Sequence, residues 1–339
     1  MFKHKSAFAG RFIALLGVSA IVSLTQRMNG QARMPMEPLH EAGQSVQPSF
    51  EGWWQEPDGT YRLMVGYFNR NTKETPDVPI GPDNHIDPGG PDYGQPTHFL
   101  TRRHWGMFTI TVPKDFGDKK LVWTLTVNGQ TMSVPMSLNN LWTVNPYHEI
   151  GIDNTPPTIT FDESGPSKSG PAPLIAQRTG TVGTPLPLTV WVADDAKTQL
   201  GGGGGGGRGG RGAAAGGRGG GAGTPAADPT AALAAAAAAA GIDADTIAQY
   251  LPRGVVNLTW SKFRGPGEVT FANNKPNVER IADGSIPKKA PFNGKAATTA
   301  TFSEPGDYTL LVVATNSSGE GGGGFLCCWT NGQVKVSVK

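Results

Sequence analysis

Val256-Asn257-Leu258-Thr259-Trp260, then Tyr308-Thr309-Leu310-Leu311-Val312, then Val334-Lys335-Val336-Ser337-Val338 set the rhythm of the C-terminal run, 255–339. Val256, Leu258 and Trp260, then Tyr308, Leu310 and Val312, then Val334, Val336 and Val338 recur at period two, the spacing of a half-buried β-strand. Between them stand Gly265-Pro266-Gly267, Glu304-Pro305-Gly306-Asp307 and Asn331-Gly332, groups that supply the backbone angles of tight turns. The pattern predicts an antiparallel sandwich.

Working outward, 49–152 reads as a second all-β unit. Tyr61, Leu63, Val65 and Tyr67 alternate after a Pro57-Asp58-Gly59 turn, followed by Phe108, Ile110 and Val112, and by Leu121, Trp123, Leu125 and Val127. Asn128-Gly129 then predicts a hairpin, with Met132, Val134 and Met136 on the return strand. Gly151 to Thr158, with Pro156-Pro157, reads as a stiff joint over 153–157, because paired prolines hold a chain extended. The second unit is then 158–339, its first strand Thr158 to Phe161 and Ser167 to Gln177 a loop.

Low-complexity sequence interrupts that unit over 197–252. Residues 201–223 hold sixteen glycines, with Arg208, Arg211 and Arg218 the only charges, too little apolar surface to offset the entropy of ordering. An alanine run from Ala231 to Ala240 follows Asp228-Pro229, which predicts a short, frayed helix stopped by Gly241. Placed at a turn between strands, such an insertion grows without disturbing the sandwich.

Leu258-Thr259-Trp260-Ser261-Lys262, Gly265 to Phe271, Ala300 to Leu310, and upstream Leu188 to Asp195 resemble, in order and spacing, the PKD-type bacterial Ig-like domains. The resemblance implies a seven-stranded sandwich with Trp260 in the core and Tyr308 at a tyrosine corner, its hydroxyl bonded to nearby backbone. It implies no catalysis, and such domains serve as adhesion, spacer or ligand-binding modules on exported proteins. A Trp53-Trp54 pair, Gly66-Tyr67-Phe68-Asn69-Arg70 and Pro79 to Asn84 are similar to strings in exported bacterial proteins, a similarity that brings no activity with it. The expected fold is therefore all-β, with two Ig-like antiparallel β-sandwich domains in tandem, the second interrupted by a disordered Gly/Ala-rich insertion with a short Ala-rich helix.

Lys3, Lys5 and Arg11 precede an apolar run from Phe12 to Leu24, and Gly30-Gln31-Ala32 offers small residues for cleavage. This predicts a signal peptide over 1–32, since a run of thirteen residues falls short of the about 20 of a spanning helix. A flexible lead over 33–48 follows, and the expected location is periplasmic or secreted, with no membrane span after cleavage. The net charge is +2, and removal of a leader carrying Lys3, Lys5, Arg11 and Arg27 without an acid leaves −2. Such a chain offers nucleic acid little, and three arginines among the glycines are a weak footprint for RNA.

Three stretches carry candidate chemistry. The loop from Asp77 to His98 packs eight prolines and glycines between Pro79 and Gly94 around Asp83, His85, Asp87 and Asp92. Ordinary Asx turns, a Ca²⁺ site on Asp83, Asn84, Asp87 and Asp92, and a transition-metal centre on His85, His98 and His104 all suit its residue types. Trp53-Trp54, read as lying ahead of the first strand, sends at most one ring into a core and leaves the other for loop packing or for stacking on a sugar. Cys327-Cys328, the only cysteines, precede Trp329 and are compatible with a vicinal disulfide forming a turn or ligand platform, with two thiols, or with intermolecular or metal bonding. No nucleophile elbow and no His-Glu-x-x-His is present. The expected role is non-catalytic binding of a glycan or another envelope protein through Trp53, Trp54, the Asp77 to His98 loop and Cys327-Cys328-Trp329. The alternative is an exported metal-dependent hydrolase.

Overall fold

In a computed structural model, the residues described are 40–149, 153–196, 256–281, 292–316 and 327–339. The expected signal peptide and all of the insertion, with its helix, lie outside them. The first sandwich pairs one sheet of β1 (Val46–Gln55), β2 (Tyr61–Asn69) and β4 (Arg102–Val112) with another of β3 (Asn84–Asp87), β5 (Leu121–Val127) and β6 (Gln130–Met136). Their orders are β1-β2-β4 and β3-β5-β6, every pairing antiparallel. Asn128 at φ 52° and Gly129 at φ 72° turn the β5–β6 hairpin, the two positive angles that Asn-Gly supplies best.

The second sandwich contains β7 (Thr158–Thr160), β8 (Leu174–Gly180), β9 (Leu186–Asp194), β10 (Asn257–Arg264), β11 (Val269–Phe271), β12 (Glu279–Arg280), β13 (Phe292–Phe302), β14 (Gly306–Thr315) and β15 (Trp329–Val338). One sheet runs β10-β14-β15-β8, with β8 parallel to β15, and the other β11-β13-β9-β7, with β12 also on β13. Two packed sheets whose consecutive strands cross between them are the immunoglobulin arrangement. Trp260 is buried between the sheets, and the Tyr308 hydroxyl donates to Glu304 O at 2.8 Å while accepting from Gly267 N–H at 3.1 Å.

Two hydrophobic cores form, and the first crosses between the sandwiches: it joins Leu63, Met64, Phe108 and Trp123 to Phe263, Leu311, Val313 and Trp329 of the second. Leu63, Met64 and Val65 follow one another in β2 and are all fully buried, as are Leu310, Leu311 and Val312 in β14. Such runs mark strands covered on both faces, so period two describes only the inner one. Each large apolar side chain buried this way contributes roughly 1.5–3 kcal/mol. The outer face of β4 lies against β15, where Trp329 fills the space above Gly106 and Asn331 Nδ2 donates to Gly106 O at 2.6 Å.

Several expectations change. The lead expected over 33–48 is tied down from His40, whose carbonyl accepts from Thr72 N–H, and is first buried at Ser45: β1 begins at Val46, and Gln44 N–H donates to Asn71 Oδ1 at 2.7 Å. Trp53 and Trp54 lie inside β1, not ahead of a strand. The Asp77 to His98 stretch, read as a loop, contains edge strand β3, because Ile86 fills the core and Asn84 accepts from the Trp123 indole at 3.0 Å. The loop expected over Ser167 to Gln177 ends at Leu174, where β8 starts.

Candidate functional site

Alternation along β1 sends its two tryptophans to opposite sides. Trp54 is buried edge-on to Tyr147, ring centres 5.8 Å apart, and its indole N–H donates to Glu56 Oε1 at 3.3 Å. Trp53, half-buried, meets Tyr61 edge-on at 5.5 Å and donates to Asn139 O at 2.8 Å. That bond carries the chain into a 3₁₀ turn, Asn140–Trp142, whose first free N–H groups Asn139 caps by accepting from Leu141 N–H. The turn presents Leu141, 90% exposed, and Trp142, 49% exposed and tilted against Phe50 at 5.7 Å. Gly52 permits this approach, since a Cβ there would stand 2.6 Å from Trp142 O. An apolar tip held by its backbone, by the Trp53 indole on Asn139 O and by Phe50 against Trp142 keeps its shape without a partner, the condition for low-entropy contact.

Leu141 and Trp142 escaped the sequence reading because they belong to no strand. The available signal was an apolar pair between Asn139-Asn140 and Thr143, outside any period-two run.

The residues read as cation ligands are divided among other partners. Asp92 forms a two-point ion pair with Arg264 of β10, at 2.8 and 2.9 Å, and Arg264 Nε donates to Gln95 O at 2.7 Å. His98 Nδ1 lies 3.1 Å from Asp77 Oδ1, and Lys262 of β10, almost fully buried, reaches Asp77 at 3.0 Å and donates to Gly267 O at 3.1 Å. His85 and Asp87 come together, at 3.3 Å, on one face of β3, and Asp83 is exposed at its head. His104 lies tilted against Tyr67 at 5.1 Å, and burial holds its pKa below the ordinary value. Among the described residues no three His, Cys, Asp or Glu side chains converge as a cation site requires. The second sandwich supplies cationic side chains to Asp77 and Asp92, so these carboxylates fasten the loop to β10.

Cys327 and Cys328 form a vicinal disulfide, with no free cysteine among the described residues. Both are buried, as is Trp329, and Cys328 Sγ lies 3.5 Å from Asn154 O. The three residues read as a candidate contact corner are therefore buried, and Trp329 is taken up by the notch at Gly106 between the sandwiches.

The carboxylates make stability depend on pH in two opposite ways. Hydrogen bonds from Arg264 hold Asp92 below its ordinary range against a burial effect. At Asp77 burial acts upward, but His98 and Lys262 outweigh it and the net shift is down. Their contribution is present above the unfolded value of about 3.9 and is lost as pH falls through the lower folded values. Asp194 goes the other way: burial pushes it up to about 6, against hydrogen bonds from Asn316 and the Ala196 N–H. A raised folded value means that stability falls as pH rises from about 4 to about 6, by up to about 3 kcal/mol. Carbon-detected carboxyl titration is expected to give Asp194 a midpoint near 6 and Asp77 and Asp92 midpoints below 3.8. An Asp194 midpoint below 4.5, about half a unit from the free value, overturns this reading of its burial.

No family model and no curated protein matches the chain. Among solved structures, the crystal structure of domains 4 and 5 of the S-layer protein SbsC aligns over 87% of this chain and 98% of its own, at 10% identity and a TM-score of 0.20. A protein of unknown function from Porphyromonas gingivalis W83 aligns over 86% and 99%, at 8% identity and a TM-score of 0.20. Likeness at these values carries no argument about function. Among the described residues no helix is long and apolar enough to cross a membrane.

Proposed function

We propose that this is an exported, non-catalytic binding or adhesion protein of the bacterial envelope, contacting a glycan or another envelope protein. The observation that carries the reading is the preformed tip, with Leu141 and Trp142 exposed on a turn that Asn139 caps and the Trp53 indole anchors through Asn139 O. A side chain as apolar as leucine, left 90% exposed on a braced turn, contributes little to folding and suits a contact surface. The leader-like N-terminus and the PKD resemblance of 158–339 supply the envelope context.

The test is the double substitution Leu141→Ser/Trp142→Ala. Leu141 is almost wholly in solvent and Trp142 about half so, and unfolding free energy is expected to change by no more than about 1–2 kcal/mol. Co-sedimentation with isolated bacterial envelope fragments is expected to weaken about 30-fold, the loss of one central aromatic contact. Undiminished sedimentation of the double variant removes the tip from the contact. A wild-type chain that ignores envelope fragments altogether removes the reading itself.

A further inference from the structure

The outer face of the β10-β14-β15-β8 sheet changes character along its length. Where the first sandwich covers it, it carries Leu311, Val313 and Trp329. Beyond that cover the same strands carry Thr309 and Asp307 on β14, and Lys335 and Ser337 on β15, in register as Thr309 opposite Lys335 and Asp307 opposite Ser337. Gln177 and Thr179 of β8 extend these rows, opposite Lys335 and Ser337. The uncovered part is the floor of a cleft of about 640 Å³, and Gly94 from the Asp77 to His98 stretch forms its wall. Arg264 holds that wall through Asp92 and Gln95 O, so the cleft is built before any ligand arrives.

Arg178, Arg264 and Tyr308 in its lining are engaged with protein partners, but other polar groups there are unspent. Gln333 lines the cleft, is only 8% exposed and makes no side-chain hydrogen bond among the described residues. Its carboxamide therefore opens onto the cleft, where a ligand hydroxyl can replace water on both its oxygen and its nitrogen. Lys335 and Asp307, both exposed in the cleft, have no ion-pair partner among the described residues. A carboxamide, a carboxylate, an ammonium and hydroxyls spaced across adjacent strands donate and accept in alternation. That pattern matches the neighbouring hydroxyls of sugar rings, and the volume falls within the roughly 300–1,000 Å³ of ligand sites. An added peptide strand fits less well, because Arg178 Nη1 already occupies Gln177 O on edge strand β8 at 2.9 Å.

We propose that this cleft binds an oligosaccharide, with Gln333 and Asp307 bonding ring hydroxyls and Lys335 taking an anionic substituent where the glycan has one. The proposal rests on the binding-module reading and assigns the glycan to a surface other than the Leu141–Trp142 tip. It is tested on the full mature chain by amide chemical shifts during titration with two probes, an N-acetylglucosamine tetrasaccharide and a uronate-containing tetrasaccharide. At least one probe is expected to shift the amides of Gln177, Thr309 and Lys335, and Asp307→Asn and Gln333→Ala are each expected to weaken it about tenfold. Lys335→Ala is expected to weaken the uronate probe more than the neutral one.

Asp307 and Lys335 are exposed, so their variants fold, and circular dichroism on Gln333→Ala separates lost binding from lost structure. Neither probe binding, equal binding by all three variants, or shifts confined to the Leu141–Trp142 tip each overturns the proposal. So does an extended peptide displacing the β8 amides in place of the sugars. Envelope binding that is lost in the tip variant while the cleft stays silent leaves the binding-module reading standing without the cleft.

Discussion

Gly106→Val is expected to lower the unfolding free energy by about 3–5 kcal/mol, from overpacking together with a β-branched residue at positive φ. Gly106 lies in β4 at φ 48°, and a Cβ there would stand 2.3 Å from Trp329 Cζ2 and 3.2 Å from Met64 Sδ. Neither neighbour has room to retreat, since Trp329 is 1% exposed and Met64 is fully buried. Trp329→Ala alone is expected to cost about 3–5 kcal/mol by opening a cavity. In the Trp329→Ala background, Gly106→Val is expected to cost only the backbone part, about 1–3 kcal/mol, because the obstructing ring is gone. Urea unfolding followed by far-ultraviolet circular dichroism measures the cycle. Additive costs would mean that Trp329 does not bear on Gly106. A second, earlier transition in Trp329→Ala is expected as well, as this side chain joins the two sandwiches in one core.

Arg103→Met carries the next largest effect, a loss of about 3–5 kcal/mol at neutral pH. Glu51 is the extra residue of a bulge in β1, between Phe50 and Gly52, which turns its carboxylate inward. There it accepts from Arg103 Nη2 at 2.7 Å and from Gly106 N–H at 2.6 Å, with its side chain 1% exposed. Arg103, 25% exposed, also lies over the Trp105 ring at 3.9 Å. Removing the guanidinium leaves a buried carboxylate without that cation, which is what makes one-sided deletion of a buried pair expensive. Adding Glu51→Gln to Arg103→Met is expected to recover part of the loss, because a carboxamide oxygen still accepts from Gly106 N–H and carries no charge. A double variant no more stable than the single one by thermal unfolding would show that the charge of Glu51 is not what Arg103 offsets.

These two positions mark where local pattern ceases to be informative. Trp329 reads as one member of a Cys-Cys-Trp surface corner until β4 is brought against it, and the sequence has no feature that names a glycine more than two hundred residues away as its partner. Asp92 and His98 were legible as side chains able to hold a cation and as members of one stretch. That Asp92 instead meets Arg264 depends on the second sandwich presenting β10 to that stretch, a long-range event that residue type cannot encode. Leu141 and Trp142 were missed for the opposite reason: their importance lies in being uncovered, and exposure is a property of the finished surface.

Strand periodicity, the Asn128-Gly129 hairpin and the turn groups around Pro266 and Pro305 are consequences of backbone angles and of side chains pointing alternately to two faces. They act over a few residues, so the chain carries them openly, and the all-β fold with Trp260 buried could be read in advance. Tertiary structure alone decided that β2 and β14 are covered on both faces, that Trp329 seats over Gly106 and that a polar cleft opens where the cover ends. Each depends on burial between segments distant in sequence, where shape and charge meet only after the sheets have formed.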